Sequence, residues 1–88
     1  MPYIKAEDKS IYETIFKQLE TMTPAFKTAG ELNYFITKII HLYQKNKGLN
    51  YQTINDIIGA LESAKAEYQR RVVNPYEDLK IQQNGDVE

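Results

Sequence analysis

The stretch TAGELNYFITKIIHLYQKNKGLN, residues 28–50, decides the fold class. Its apolar residues Leu32, Phe35, Ile36, Ile39, Ile40 and Tyr43 fall at i, i+3, i+4, i+7, i+8 and i+11, the spacing of one face of an α-helix. Thr28 followed three residues later by Glu31 is a capping-box start. Lys45 and Lys47 complement the dipole of the last turn, and Gly48 suits the left-handed C′ position with apolar Leu49 after it. Asn50 then opens the next segment.

Working outward from this helix, Ile11, Ile15, Leu19 and Met22 predict a first helix over about residues 8–22, capped by Asp8 or by Ser10 paired with Glu13. Pro24 disfavours helical angles at Thr23 and ends it. On the other side, Ile54, Ile57, Ile58, Leu61, Ala64, Tyr68 and Val72 predict the inner face of a third helix over 51–73, stopped by Pro75. The tail 76–88 reads as a turn at Tyr76–Leu79, a short extended piece at Lys80–Gln82 and a turn at Asn84–Gly85. Pro2–Ile4 is extended in character and a candidate to pair with Lys80–Gln82. The expected architecture is all-α: one three-helix domain over 1–88 with short extended N- and C-terminal segments.

A chain of 88 residues buries a small share of its surface. With no cysteine it has neither disulfides nor thiolate metal sites to compensate, so assembly with another copy is the remaining route to stability, and a homo-oligomer is expected. Eleven basic and 12 acidic residues give a net charge of −1, which supplies no global field toward DNA or an anionic membrane. No apolar run spans a bilayer and the start lacks the order of a secretory signal, so the expected location is the cytoplasm.

Catalysis by nucleophile and base finds little to work with: His41 is the one histidine, flanked by Ile40 and Leu42, and reads as an ordinary partly exposed or packed side chain. No metal-ligand spacing and no glycine-rich phosphate loop is present, so neither metal nor cofactor is expected. The acid pairs Glu7-Asp8 and Glu77-Asp78 read as caps or solvated surface, and Gly59 with Ser63 either as small residues that would permit a helix to approach or as a tolerated small surface pair. The expectation is a binding protein, not an enzyme.

Arginine is confined to Arg70 and Arg71, adjacent near the predicted end of the third helix. Their planar forks grip phosphate or carboxylate in bidentate fashion, which suits an anion site; helix-end pairing with Glu67, Glu77 or Asp78 is the competing reading. Of seven tyrosines, Tyr12, Tyr43 and Tyr68 fall on or near predicted core faces, whereas Tyr3, Tyr34 and Tyr76 are placed to offer stacking surfaces. Arginine beside tyrosine and asparagine suits a ligand with phosphates and bases.

The blocks MPYIK, GELNYFITKIIHLY, GLNYQTINDIIGALE and RRVVNPYEDLKIQQNGDV, in this order over nearly the whole chain, resemble a family of short proteins widespread in phages and also seen in bacterial genomes. That family is similar in turn to the phage sponge proteins that oppose CBASS immunity. The resemblance implies a small, oligomeric, non-enzymatic protein that sequesters a cyclic dinucleotide such as cyclic GMP-AMP in the host cytoplasm. It implies a site drawn from Asn33 and Tyr34, from Arg70 and Arg71, and from Asn74, Tyr76 and Lys80, with Tyr3 and Lys5 closing it. A structural or adaptor protein that binds a protein partner through its helix faces is the alternative. A nucleic-acid-binding module is disfavoured by the near-neutral charge, and an enzyme acting on nucleotides would require a carboxylate to hold magnesium.

Overall fold

The computed structural model describes residues 2–88, which are mainly helical, with no strand among them. Four α-helices occur in chain order, α1 (Ala6–Thr21), α2 (Ala29–Lys47), α3 (Tyr51–Tyr68) and α4 (Asn74–Asn84), with a π-helical turn at Gln69–Val73 between the last two. The chain falls into two compact units, one of Tyr3–Ile57 and the other of Ile58–Glu88 with Pro2.

In the first unit, α2 begins and ends where its sequence directs. The Thr28 hydroxyl accepts from the Glu31 amide at 3.1 Å, and the Glu31 carboxylate accepts from the Lys27 amide at 3.1 Å, which satisfies two of the donors that a helix start leaves unpaired. At the other end the Gly48 amide donates to the Gln44 carbonyl at 2.7 Å. Gly48 has φ 88° and ψ 157°, so it lies in the mirror-extended region essentially reserved to glycine and not in the left-handed helical well the sequence led us to expect. Asn50 starts α3 by accepting from the Thr53 amide at 2.9 Å.

The start of α1 differs from expectation. Helix begins at Ala6, two residues before Asp8, with Lys5 as N-cap and no side-chain cap; the Ser10 hydroxyl donates to the Glu7 carbonyl and makes no capping box with Glu13. Alanine and the acidic pair Glu7-Asp8 favour a first turn upstream of Ser10, where carboxylates meet the positive end of the helix dipole. The helix ends at Thr21, before a cis Thr23-Pro24 bond.

In the second unit, Pro75 does not stop the helix. Tyr68, Val73 and Asn74 all keep right-handed helical angles, so the helical conformation runs on through the π turn and α4 to Asn84. Proline has no N–H to give to the carbonyl four residues before it, and the π turn meets this by bonding one residue further back: the Asn74 amide donates to the Gln69 carbonyl. Pro75 then sits in the first turn of α4, where its missing donor costs little. Lys80–Gln82 is therefore helical, and the expected extended C-terminal piece and its pairing with Pro2–Ile4 do not form. Gly85 ends α4 as Gly48 ends α2, with φ 85°, ψ 154° and its amide on the Ile81 carbonyl at 2.8 Å.

The largest departure concerns the core. No hydrophobic side chain is buried among the described residues; Thr53, at 3% exposure, is the single buried residue. Ile54, Ile58, Leu61, Tyr68 and Val72, expected on an inner face, are exposed, and Ile57 is half-buried. Tyr12 and Tyr43 are exposed as well. The helical periodicity is correct, but within the first unit α1 and α2 make no close backbone approach to each other that would cover their apolar faces. Phe26 against Phe35, with ring centroids 5.2 Å apart in edge-to-face geometry, is a local exception that ties the loop before α2 to its first turns.

Candidate functional site

The candidate residues divide between the two units. Arg70 and Arg71 stand on the π turn, and Asn74, Tyr76 and Lys80 follow on α4. Asn33 and Tyr34 belong to the first two turns of α2, and Tyr3 and Lys5 to the segment leading into α1.

Both arginines meet one carboxylate. An Arg70 Nη2 donates to Glu67 Oε1 at 3.1 Å and to Oε2 at 3.2 Å, and Arg71 Nε lies 3.8 Å from Glu67 Oε1. The arginine side chains are 63% exposed and that of Glu67 24%, so these are surface ion pairs at helical spacing. Exposed pairs of this kind are worth about 0–1 kcal/mol. Of the acids weighed against the pair in the sequence, Glu67 is the partner seen.

One turn later the Lys80 ammonium lies 5.4 Å from the centroid of the Tyr76 ring and donates to Gln83 Oε1 at 3.4 Å. Tyr76 is exposed and presents its ring at the surface. The second unit thus carries, on one continuous helical segment, two guanidinium forks, an amide side chain, an aromatic face and an ammonium. In the first unit Asn33 accepts from the Thr37 hydroxyl at 3.0 Å, and the Lys38 ammonium stands 6.0 Å from the Tyr34 ring centroid. Two lysine–tyrosine pairs, Lys38 on Tyr34 and Lys80 on Tyr76, therefore share the i,i+4 spacing.

Sequence reasoning named Tyr34, Tyr76 and Lys80 but missed Lys38 and Gln83, although each lies within a turn of a named residue on the same helix. It also missed the hydrogen bond from the Tyr43 hydroxyl to Asp56 Oδ2 at 2.9 Å, which joins α2 to the first turns of α3. Asp56 also accepts from Gln52 Nε2 at 2.8 Å. The carboxylate bond, with lesser effects of desolvation and charge, holds the Tyr43 phenol above its ordinary pKa of 10.0.

No group of three or more His, Asp or Glu side chains that could hold a metal ion occurs among the described residues. His41 is exposed on α2. No helix among the described residues is long and apolar enough to cross a membrane.

Over residues 1–87 the sequence matches the family described as a domain of unknown function, DUF6899. The chain belongs to that family. The match spans all four sequence blocks from MPYIK to NGDV, and with them both arginines and both lysine–tyrosine pairs of this DUF6899 chain. No curated protein and no solved structure matches it.

Proposed function

We propose that this protein is a non-enzymatic binding protein that captures a cyclic dinucleotide, of the cyclic GMP-AMP class, and withholds it from a host effector in the manner of a phage anti-CBASS sponge. The observation that carries the reading is the Arg70–Arg71 pair on an exposed π turn, followed on the same helix by Asn74, Tyr76 and Lys80. π turns concentrate at functional sites, and here one coincides with both arginines of the chain. Guanidinium forks suit phosphates, the Tyr76 ring suits a base, and the Asn74 amide suits a base edge. Asn33, Tyr34, Tyr3 and Lys5, which the resemblance also names, belong to the other unit and offer an amide, rings and an ammonium of their own. A ligand of near-twofold symmetry suits a site shared between copies of the chain. Stoichiometric capture requires affinity and no turnover, so the reading asks for no general base.

A thermal-shift series against cyclic di- and trinucleotides, linear dinucleotides and mononucleotides tests it. A ligand at 100 times its Kd that binds the folded form alone adds about 2.7 kcal/mol of stability. We expect a shift with a cyclic dinucleotide and its recovery intact by chromatography. No shift with any member removes the proposal, and a cleaved product replaces capture with catalysis.

The engagement of both arginines by Glu67 favours a second reading, in which they serve the helix and the protein acts as a small adaptor for a protein partner. Absence of any nucleotide shift, together with unchanged behaviour of the arginine variants, selects it.

A further inference from the structure

An asparagine carboxamide can be attacked by the backbone nitrogen of the next residue, and glycine at that next position leaves the approach open because it has no Cβ. Of the six asparagines in the chain, Asn84 alone precedes a glycine; the others precede tyrosine, lysine, aspartate or proline. Asn84 is exposed and, unlike Asn33 and Asn50, its side chain has no hydrogen-bond partner among the described residues. It is the final residue of α4, and a Cβ built on Gly85 would meet nothing within 4 Å, so no neighbour shields the pair. One bond opposes the reaction: the Gly85 amide donates to the Ile81 carbonyl at 2.8 Å, which holds the nitrogen in the helix end. Terminal helical turns open at little cost in free energy, so that bond delays the nitrogen without withholding it.

We propose that Asn84 is a site of spontaneous deamidation, with the turn of α4 that holds Lys80 as the part of the fold that feels it. The Gly85 nitrogen gives up its proton to solvent base and attacks Asn84 Cγ; the Cγ–Nδ2 bond breaks, and Nδ2 takes up a proton and leaves as ammonia. The five-membered succinimide left between residues 84 and 85 is then opened by water. Addition at Cγ yields aspartate; addition at the backbone carbonyl yields isoaspartate, in which the chain runs through the former side chain and is one carbon longer. The sum is one water gained and one ammonia lost, with no oxidant or reductant. Either product places a carboxylate at the C-terminal end of α4, where the helix dipole opposes it, and takes the net charge of −1 one unit further negative. The new charge also stands four residues after Lys80, a spacing at which acid and base pair on a helix, so it competes with Tyr76 for the Lys80 ammonium. The proposal is independent of the nucleotide reading.

Peptide mapping by mass spectrometry of the full chain, incubated in mildly alkaline buffer and sampled over time, tests this, with isoaspartate read by enzymatic methylation. Expected is the mass gain of one deamidation confined to the peptide that holds Asn84, with ammonia released in step and isoaspartate present. Gly85→Ala is expected to slow the gain about 10-fold or more, because its Cβ stands against the attacking nitrogen. Alanine at φ 85° also loosens the helix end, which alone would speed the reaction, so slowing reports the ring closure itself. Asn84→Asp, which carries the new charge from the start, is expected to shift the Lys80 side-chain resonances out of the field of the Tyr76 ring. An Asn84 that stays intact in the folded chain over the time in which the urea-unfolded chain converts overturns the proposal, since the helix end then withholds the nitrogen. Conversion at the exposed Asn46 of α2 as fast as at Asn84, or a Gly85→Ala chain that converts at the wild-type rate, overturns it too. Unchanged Lys80 resonances in Asn84→Asp overturn the effect on Lys80.

Discussion

The hydroxyl of Tyr43 on α2 donates to the Asp56 carboxylate on α3 at 2.9 Å, across the turn that Gly48 and Asn50 make between the two helices. The bond requires the neutral phenol, so the folded form holds its proton above the ordinary value of 10.0. Unfolded, the phenol loses its proton sooner, and the unfolded state binds fewer protons at high pH. The contribution is therefore fully present below about pH 10 and is lost as pH rises through the raised value. Thermal melting between pH 8 and 11.5 is expected to fall more steeply for the wild type than for Tyr43→Phe above pH 10. Parallel curves would show that the bond does not hold in solution.

At Gly48 the backbone occupies φ 88° and ψ 157° on the only connection between α2 and α3, and at Gly85 nearly the same angles precede the last three residues of the chain. A Cβ added at Gly85 meets nothing within 4 Å, and at Gly48 the nearest atom is Asn50 Nδ2 at 3.9 Å, so space does not separate the two. Conformation does the damage in both, at about 1–3 kcal/mol where the angles must be kept. Among the described residues no element follows Gly85, so Gly85→Ala can relax without moving one. Gly48→Ala cannot do so without moving α3 and its bond to Tyr43. Chemical denaturation is expected to show a loss of about 1–3 kcal/mol for Gly48→Ala and little change for Gly85→Ala.

What was legible in the sequence is what the backbone decides locally. Thr28 with Glu31, Gly48 and Asn50 each carry a capping preference strong enough to fix a boundary, and α2 has the limits its sequence predicts. Pro75 misled because its missing N–H was read as a stop, whereas a π turn beforehand absorbs the defect and proline's own φ suits the first turn of α4. Ser10 and Glu13 misled because a three-residue spacing recurs inside helices as well as at their starts. The apolar stripes were read correctly as stripes; their cover was not legible, because periodicity specifies which side of a helix is apolar and says nothing of which chain meets it. For the candidate site, residue type pointed to Arg70, Arg71 and Tyr76. That Glu67 engages both arginines, and that Lys80 lies over Tyr76, depends on side-chain rotamers that no spacing rule supplies.

Glu67 separates the two proposed roles of the arginines. If they receive a phosphate, the carboxylate competes with it, and Glu67→Gln is expected to tighten cyclic-dinucleotide binding several-fold. Arg70→Ala and Arg71→Ala would each remove a charge-assisted hydrogen bond worth about 1.5–3 kcal/mol, a loss of roughly 10- to 150-fold in affinity. If they serve the helix alone, all three substitutions shift stability by no more than about 1 kcal/mol and leave ligand behaviour alike. Titration calorimetry with each variant distinguishes the cases, since only an anion site makes the glutamate and arginine variants move in opposite directions.

Pro75 sets the register of everything after the π turn. With the Asn74 amide on the Gln69 carbonyl, one residue more is wound into that turn than in an α-helix, and the residues after it are turned by about 100° about the axis. Tyr76 and Lys80 therefore face a direction that a regular helix would not give them. Pro75→Ala restores an N–H able to reach the Arg71 carbonyl and removes the ring that opposes this, so the segment is expected to relax to α-helix with stability maintained or raised. Backbone chemical shifts over 69–76 would report the change of register. Should the segment also carry the nucleotide, affinity falls in the same variant although every contacting side chain is still present. An α-helical Pro75→Ala protein with wild-type affinity would show that the arginines bind without the orientation the π turn imposes on Tyr76 and Lys80.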